Sequence, residues 1–248
     1  MILCVDCGNT RLKWGVRDGD GWVARGSLGN EDLGRLPGEV DAVVGDSRAV
    51  ALRRLLACSV AGRVAATAVE GLAASLGLAT DWVVAGAERC GVRNGYERPS
   101  QLGADRWAAL IGARALRAGP CLVVCAGTAT TVDVLQADGL FPGGLILPGL
   151  ELMRRALARE TAGLPLAAGA LVPLPRNTDD AIASGCLQAT LGAVERMFRP
   201  LAAGPGGEGA LCLLSGGAAA LLAPHLAVPH RVVDDLVLEG LAEIARRD

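Results

Sequence analysis

The chain opens on an apolar run, MILCV, that stops at Asp6 and a glycine turn, then resumes as RLKWGVR. Short apolar runs bounded by turn residues predict strands, whereas apolar positions three and four apart predict helices. The pair of strands flanking Gly8 is followed by an Asp-Gly turn, DGDG, and a third strand. The same pattern returns near mid-chain. VVCAGTAT repeats LCVDCGNT with Gly127 on Gly8 and Cys125 on Asp6, continues as TTVDVLQ, turns at ADG and enters another strand. A repeated strand–turn–strand–turn–strand order predicts duplication, with one domain over 1–117 and a second over 118–248.

Between and after the copies the periods alternate. DAVVGDS reads as a strand, RAVALRRLLACSVAG as a helix, DWVVAG as a strand and GADRWAALIGARALRAG as an amphipathic helix ending at Gly119. After the second copy, GLELMRRALARETAGL and TDDAIASGCLQATLGAVERMFRPL read as helices, ALCLLSGG as a strand and AAALLAPHL as a helix. Strands alternating with helices predict an α/β layered fold. GPGGEG (Gly204 to Gly209) fits a dinucleotide fingerprint by letter, but it precedes a strand instead of following one and reads as a connection. The longest apolar run, LCLLSGGAAALLAPHLAV, is broken by Gly216, Gly217, Pro224 and His225, so it predicts strand, turn and helix and no membrane span.

Composition narrows the picture. Apolar residues are 51% and aromatic residues 3%, which predicts a closely packed aliphatic core. A net charge of −2 argues against a nucleic-acid partner. MILCV carries no basic leader, and the chain reads as cytoplasmic. Eight cysteines suit a reducing compartment. A zinc site from Cys4, Cys7, Cys121 and Cys125 is disfavoured, because residues three apart on a strand face opposite ways.

No Walker-type loop and no H-E-x-x-H is present, and His225 and His230 are the only histidines. What remains are two glycine turns able to present backbone N–H groups and hydroxyls to phosphates. Asp6 can hold Mg²⁺ or its waters and Lys13 can reach phosphate oxygens; a turn cap and a solvated strand end are the alternatives. In GADRW, Asp105 and Arg106 adjoin at a helix start, where a carboxylate can take a hydroxyl proton and a guanidinium can meet an acid. A helix-dipole role for Asp105 with a solvated Arg106 competes with that reading. Tyr96 is open to a packed-turn role and Thr178 to an N-cap role.

These residues resemble a known family. DCGNTRLK is similar to the D-x-G-N-[TS]-x-x-K signature of type III pantothenate kinases, the Bvg accessory factor family. NGYERPSQLGADRW, AGTATTVD and GGLILPG resemble its further motifs in order, and NTDDAIASG and DDLVLEGL fit weaker ones. The resemblance implies the duplicated ribonuclease-H-like fold of actin, sugar kinases and acetate kinase, with ATP in the cleft between the domains. It implies phosphorylation of pantothenate to 4′-phosphopantothenate, the first step of coenzyme A biosynthesis. ATP would meet Asp6, Cys7, Gly8, Asn9, Thr10, Arg11, Leu12, Lys13 and Thr128, with Ser215 to Gly217 near the adenosine. Pantothenate would meet Tyr96, Gly103, Ala104, Asp105, Arg106 and Thr178, with Asp105 as general base. Mg²⁺, a monovalent cation (K⁺ or NH₄⁺) and a homodimer are implied as well.

The chain departs from the family at Cys125, where the family has an aspartate that holds the monovalent cation. A thiol is a soft ligand and K⁺ prefers oxygen, so this position predicts a weakened cation site, with Asp133 as a compensating carboxylate to be placed. Two other readings stay open: another small-molecule kinase of the superfamily, and a catalytically weak nucleotide-binding regulator.

Overall fold

The computed structural model describes residues 1–45, 52–166 and 168–248. They fall into two compact units, Met1–Arg117 with Asp235–Asp248, and Ala118–Asp234.

The first unit is built on a sheet of β1 (Ile2–Cys7), β2 (Arg11–Asp18), β3 (Gly21–Gly29), β4 (Arg54–Ser59) and β5 (Thr80–Trp82). Its order is β3-β2-β1-β4-β5; β1 runs antiparallel to β2 and parallel to β4. A strand buried on both faces reads as a continuous apolar run, which is why LCV and LLAC lack alternation. One face packs Leu3, Val5, Cys7, Leu55 and Ala57 against α1 (Leu36–Val44) and α2 (Arg63–Ser75). The strand expected over DAVVGDS is therefore corrected. Residues 41–44 belong to α1, which buries Leu36 and Val40 four apart, while 46 and 47 lie outside the described residues. The helix expected over RAVALRRLLACSVAG is corrected as well: its first residues, 48–51, lie outside the described residues, and Arg54–Ser59 is the strand β4. Its four-residue apolar run, LLAC, carries no period to separate a buried strand from a buried helix.

The short hairpin β6 (Glu88–Arg89) and β7 (Val92–Asn94) leads to α3 (Ala104–Leu116). This helix was expected to be amphipathic, but Arg106 to Ala113 are all buried. The reason is α7 (Leu236–Arg247), which packs along it. A Cβ on Gly112 would collide with the Leu236 carbonyl, and one on Gly240 with the Ala108 carbonyl, so the two helices cross at bare backbone. Asp235–Asp248 thus sits with the first unit and not, as expected, with the second.

The second unit holds β8 (Cys121–Ala126), β9 (Ala129–Leu135), the short β10 (Leu140–Phe141), β11 (Gly143–Pro148), α4 (Leu150–Glu160), α5 (Thr178–Ala203), β12 (Leu211–Ser215), α6 (Ala219–Leu222) and β13 (His230–Val232). Its sheet order, β11-β9-β8-β12-β13, reproduces that of the first unit strand for strand. Leu122, Val124, Val132, Cys212 and Leu214 bury one face against α5 and α6. GPGGEG is the connection from α5 to β12. All eight cysteines are free, and no group of three or more metal-ligating side chains is found among the described residues. No described helix is long and apolar enough to cross a membrane.

Candidate active site

The first glycine turn is tied down by backbone. Gly8 N donates to Arg11 O at 3.0 Å, and a Cβ on Gly8 would stand 2.9 Å from that oxygen, so only glycine closes this turn unstrained. Asn30, which no sequence motif marks, clamps it from β3's end. Its Nδ2 donates to Gly8 O at 3.2 Å and Asn9 O at 2.9 Å. Asn9, Thr10 and Arg11 are exposed, with Arg11 Nε on Ser27 Oγ at 2.8 Å. Cys7 and Leu12 point into the core, so of the expected nucleotide segment these two can offer only backbone.

Register then assembles the charges. β1 places Asp6 opposite Lys13 on β2 and opposite Cys58 on β4. The Cys58 thiol lies 3.6 Å from Asp6 Oδ1. Lys13 bonds elsewhere, its Nζ on Asp235 Oδ1 at 2.6 Å. Burial pushes the Asp6 carboxyl up to about 7 from an ordinary 3.8. The Asp105 carboxylate pushes it the same way, Lys13 and the Cys58 thiol oppose, and Asp235 adds to the rise. Asp105 and Asp235, distant in sequence, are thus near enough for their charges to act on Asp6. Burial likewise drives the Cys58 thiol well above its usual range, so it stays protonated and donates.

Asp105 stands in the first turn of α3, where the helix N-terminus favours its charge. Its Oδ1 accepts from Arg106 N at 2.8 Å and would lie 2.7 Å from a Cβ on Gly103, so that glycine leaves the carboxylate its place. Arg106 is buried and not solvated: its Nη1 donates to the Tyr96 hydroxyl at 2.9 Å, with the guanidinium 5.7 Å from the ring centroid. Asn94 holds the Tyr96 loop, accepting from Tyr96 N at 3.1 Å and donating to Gly86 O and Pro99 O at 3.1 Å each. Tyr96, Asp105 and Arg106 form one group within the first unit.

In the second unit, Gly127 N donates to Ala129 O at 3.0 Å, closing a turn at the place of the Gly8 turn but one residue shorter. Thr128 is exposed on it, and its carbonyl accepts from Gly149 N at 2.9 Å. Cys125 is half-buried, flanked in register by Thr131 and Ser215. Thr131 Oγ1 is buried without a hydrogen-bond partner among the described residues. Asp133, one pair further along β9, is buried beside Gly144, where a Cβ would strike its carboxylate. Ser215 Oγ donates to Asp234 O at 3.2 Å, and Gly216 takes φ +98° against Ala126, whose carbonyl accepts from Ala218 N. Thr178 is exposed at the start of α5; the cap is Asn177, whose Oδ1 accepts from Asp180 N at 2.8 Å. The N-cap alternative for Thr178 is thereby corrected.

The donors suit some ligands better than others. A half-buried carboxylate whose charged form is disfavoured fits a divalent cation carried mainly by phosphate oxygens, which needs one or two carboxylates from the protein. K⁺ fits poorly at Cys125, whose own side chain is a soft thiol and whose cross-strand neighbours Thr131 and Ser215 offer neutral hydroxyls in place of a carboxylate.

Residues 2–200 match the family model for type III pantothenate kinase. The chain is 56% identical over its whole length to the type III pantothenate kinase of Aromatoleum aromaticum, covering 99% of that protein. It is 53% identical to the one from an Azoarcus species, over 100% of this chain and 92% of the other. Among solved structures it resembles a conserved Baf family protein from Campylobacter jejuni (TM-score 0.62, 18% identity, covering 99% of this chain and 98% of that one). It also resembles ADP-bound MreB5 of Spiroplasma citri (TM-score 0.50, 10% identity, covering 99% and 95%). The structural likenesses give the fold alone, two ribonuclease-H-like α/β units.

Proposed function

The chain belongs to the type III pantothenate kinase family, and from that premise we propose that it transfers the γ-phosphoryl group of ATP to the 4′-hydroxyl of pantothenate, the first step of coenzyme A biosynthesis. The observation that carries the reading is that the Asp105 carboxylate acts electrostatically on Asp6: an acceptor-side carboxylate lies within charge range of the first glycine turn.

Phosphoryl transfer asks a protein mainly for positioning and charge. The Gly8 turn and Lys13 hold phosphate oxygens, with Asn9, Thr10 and Arg11 at the exposed rim and Thr128 on the second turn. Asp105 accepts the hydroxyl proton as oxygen–phosphorus bonding develops. Arg106 meets the pantothenate carboxylate, its fork held by the Tyr96 hydroxyl. A divalent cation, when bound, neutralises phosphate charge, and Asp6 is the side chain that would meet it or its waters. Gly103, Ala104 and Thr178 complete the acceptor site in this reading. The regulator and the other-kinase readings are not favoured, since the two relatives named above carry one name and Asp6, Lys13 and Asp105 are all present.

Free thiols throughout support a cytoplasmic, reducing setting. A homodimer is supported by the exposed Leu145, Ile146, Leu152, Leu166 and Leu174, of which Leu152 and Leu166 line a groove of about 500 Å³ beside α4. Coupled ADP release with pantothenate against a panel of other alcohols and hydroxy acids tests the activity. Turnover on another acceptor and none on pantothenate would overturn it.

A further inference from the structure

Asp235 occupies the N-cap position of α7, where an aspartate ordinarily accepts from the helix's own N–H groups, yet its side chain makes no cap bond. Its Oδ1 lies 2.6 Å from Lys13 Nζ instead, and its Oδ2 stands 3.9 Å from Arg25 Nη1. Lys13 in turn passes over its cross-strand neighbour Asp6 to reach this carboxylate. Asp235 itself is held in place independently of the pair. One turn along α7, Glu239 accepts from Arg17 Nη1 at 2.8 Å and Trp22 Nε1 at 2.7 Å, and Gly240 seats the helix on α3.

The pair is only partly enclosed, the two side chains keeping 28% and 19% of their surface, so a phosphate can reach the ammonium without displacing the helix. An ammonium has three protons, and one engaged by Asp235 leaves others for a phosphate oxygen. The charge is another matter. Lys13 is matched by the Asp235 carboxylate before any ligand arrives, with Arg25 as that carboxylate's more distant second partner, while Asp105 and a partly protonated Asp6 stand near with further negative charge. A bare polyphosphate therefore gains little from a lysine already neutralised, whereas a polyphosphate carrying a divalent cation brings its own compensating charge.

We propose that Asp235 is a specificity-determining residue which, by neutralising Lys13, makes the site select the metal-complexed nucleotide and reject the metal-free one. The inference rests on the reading of Lys13 as a phosphate ligand. It assigns a role to the C-terminal segment that no nucleotide motif of the sequence indicated.

The test is calorimetric binding of ATP and ADP, in EDTA and in saturating MgCl₂, to the unmodified protein, Asp235→Asn, Lys13→Ala and the double variant. Asn keeps the size and the capping ability while removing the charge; Asp235→Ser, also a good cap, serves if Asn fails to fold. In EDTA, Asp235→Asn should bind ATP about tenfold more tightly, the scale of one ammonium released from its ion pair to meet a phosphate oxygen at a partly exposed site, with a smaller gain for ADP. In MgCl₂ its affinity should stay within about threefold of the unmodified protein. The gain should vanish in the Lys13→Ala background, since a double-mutant cycle isolates the pair. Equal affinities in EDTA, equal weakening in both buffers, or a gain that survives Lys13→Ala would overturn the inference. Loss of nucleotide affinity in Lys13→Ala with an unaltered Asp235→Asn leaves the Lys13 reading standing and removes this one. Nucleotide binding unchanged by Lys13→Ala removes both.

Discussion

Asp6 and Cys58 face each other across the parallel strands β1 and β4, the thiol 3.6 Å from Asp6 Oδ1. A thiol is a weak donor, so it offsets little of the cost of holding a carboxylate beside Asp105 with so little water. The sign of the stability effect follows. Asp6 titrates near 7 in the fold against 3.8 unfolded, so the folded state binds more protons between those values. Stability is full below the unfolded value and falls as pH rises through 7, by at most about 4 kcal/mol. Asp6→Asn should therefore raise the melting temperature at pH 8, with the gap closing as pH is lowered from 7 to 4. A constant gap across that range would show that Asp6 titrates normally. The same variant should lose most Mg²⁺-dependent turnover.

Asp105→Asn should lower kcat by about 10²- to 10⁴-fold, the usual worth of a positioned base. Asn can still accept from Arg106 N, so Tm and nucleotide affinity should hold. Turnover within a few-fold of the unmodified enzyme would remove Asp105 from the base role. Gly103→Ala tests the same point through geometry, because its Cβ would crowd Asp105 Oδ1 at 2.7 Å. It should reduce kcat by more than it raises the KM for ATP.

The α3–α7 crossing is expected to be unforgiving. Gly240→Ala places a methyl against the Ala108 backbone, which cannot rotate away, so α7 must move off α3. A loss of about 1–3 kcal/mol, the usual cost of overpacking, is expected in urea unfolding, whereas Gly71→Ala on α2, with open space at its Cβ, should be neutral or mildly stabilising. Comparable midpoints for the two variants would contradict the close packing.

Cys125 bears on the monovalent cation. With a thiol where the family has a carboxylate, the initial rate should depend little on KCl in a buffer free of other monovalent metals. Cys125→Asp should acquire a saturable K⁺ requirement, since it returns a charged oxygen beside the orphaned Thr131 hydroxyl. Strong activation of the unmodified protein at low K⁺, equal to that of the variant, would show that other groups hold the cation.

Much of this protein was legible in its sequence because its cues are local. Gly8 and Gly127 mark two similar turns, and the strand–turn–strand order after each repeats in the two sheets. Asp6, Lys13, Asp105 and Arg106 stand in short motifs that carry their chemistry within a few residues. Periodicity failed at DAVV and LLAC, where short apolar runs have no length over which a period can declare itself. Other features depend on residues that meet only in space. Asn30 acts through carbonyls of a turn on another strand, and Asp235 reaches Lys13 because two glycines let α7 lie on α3. An N-cap aspartate reads from sequence as a cap; only the tertiary structure turns it toward a lysine, because the helix's packing decides which charge its first residue meets.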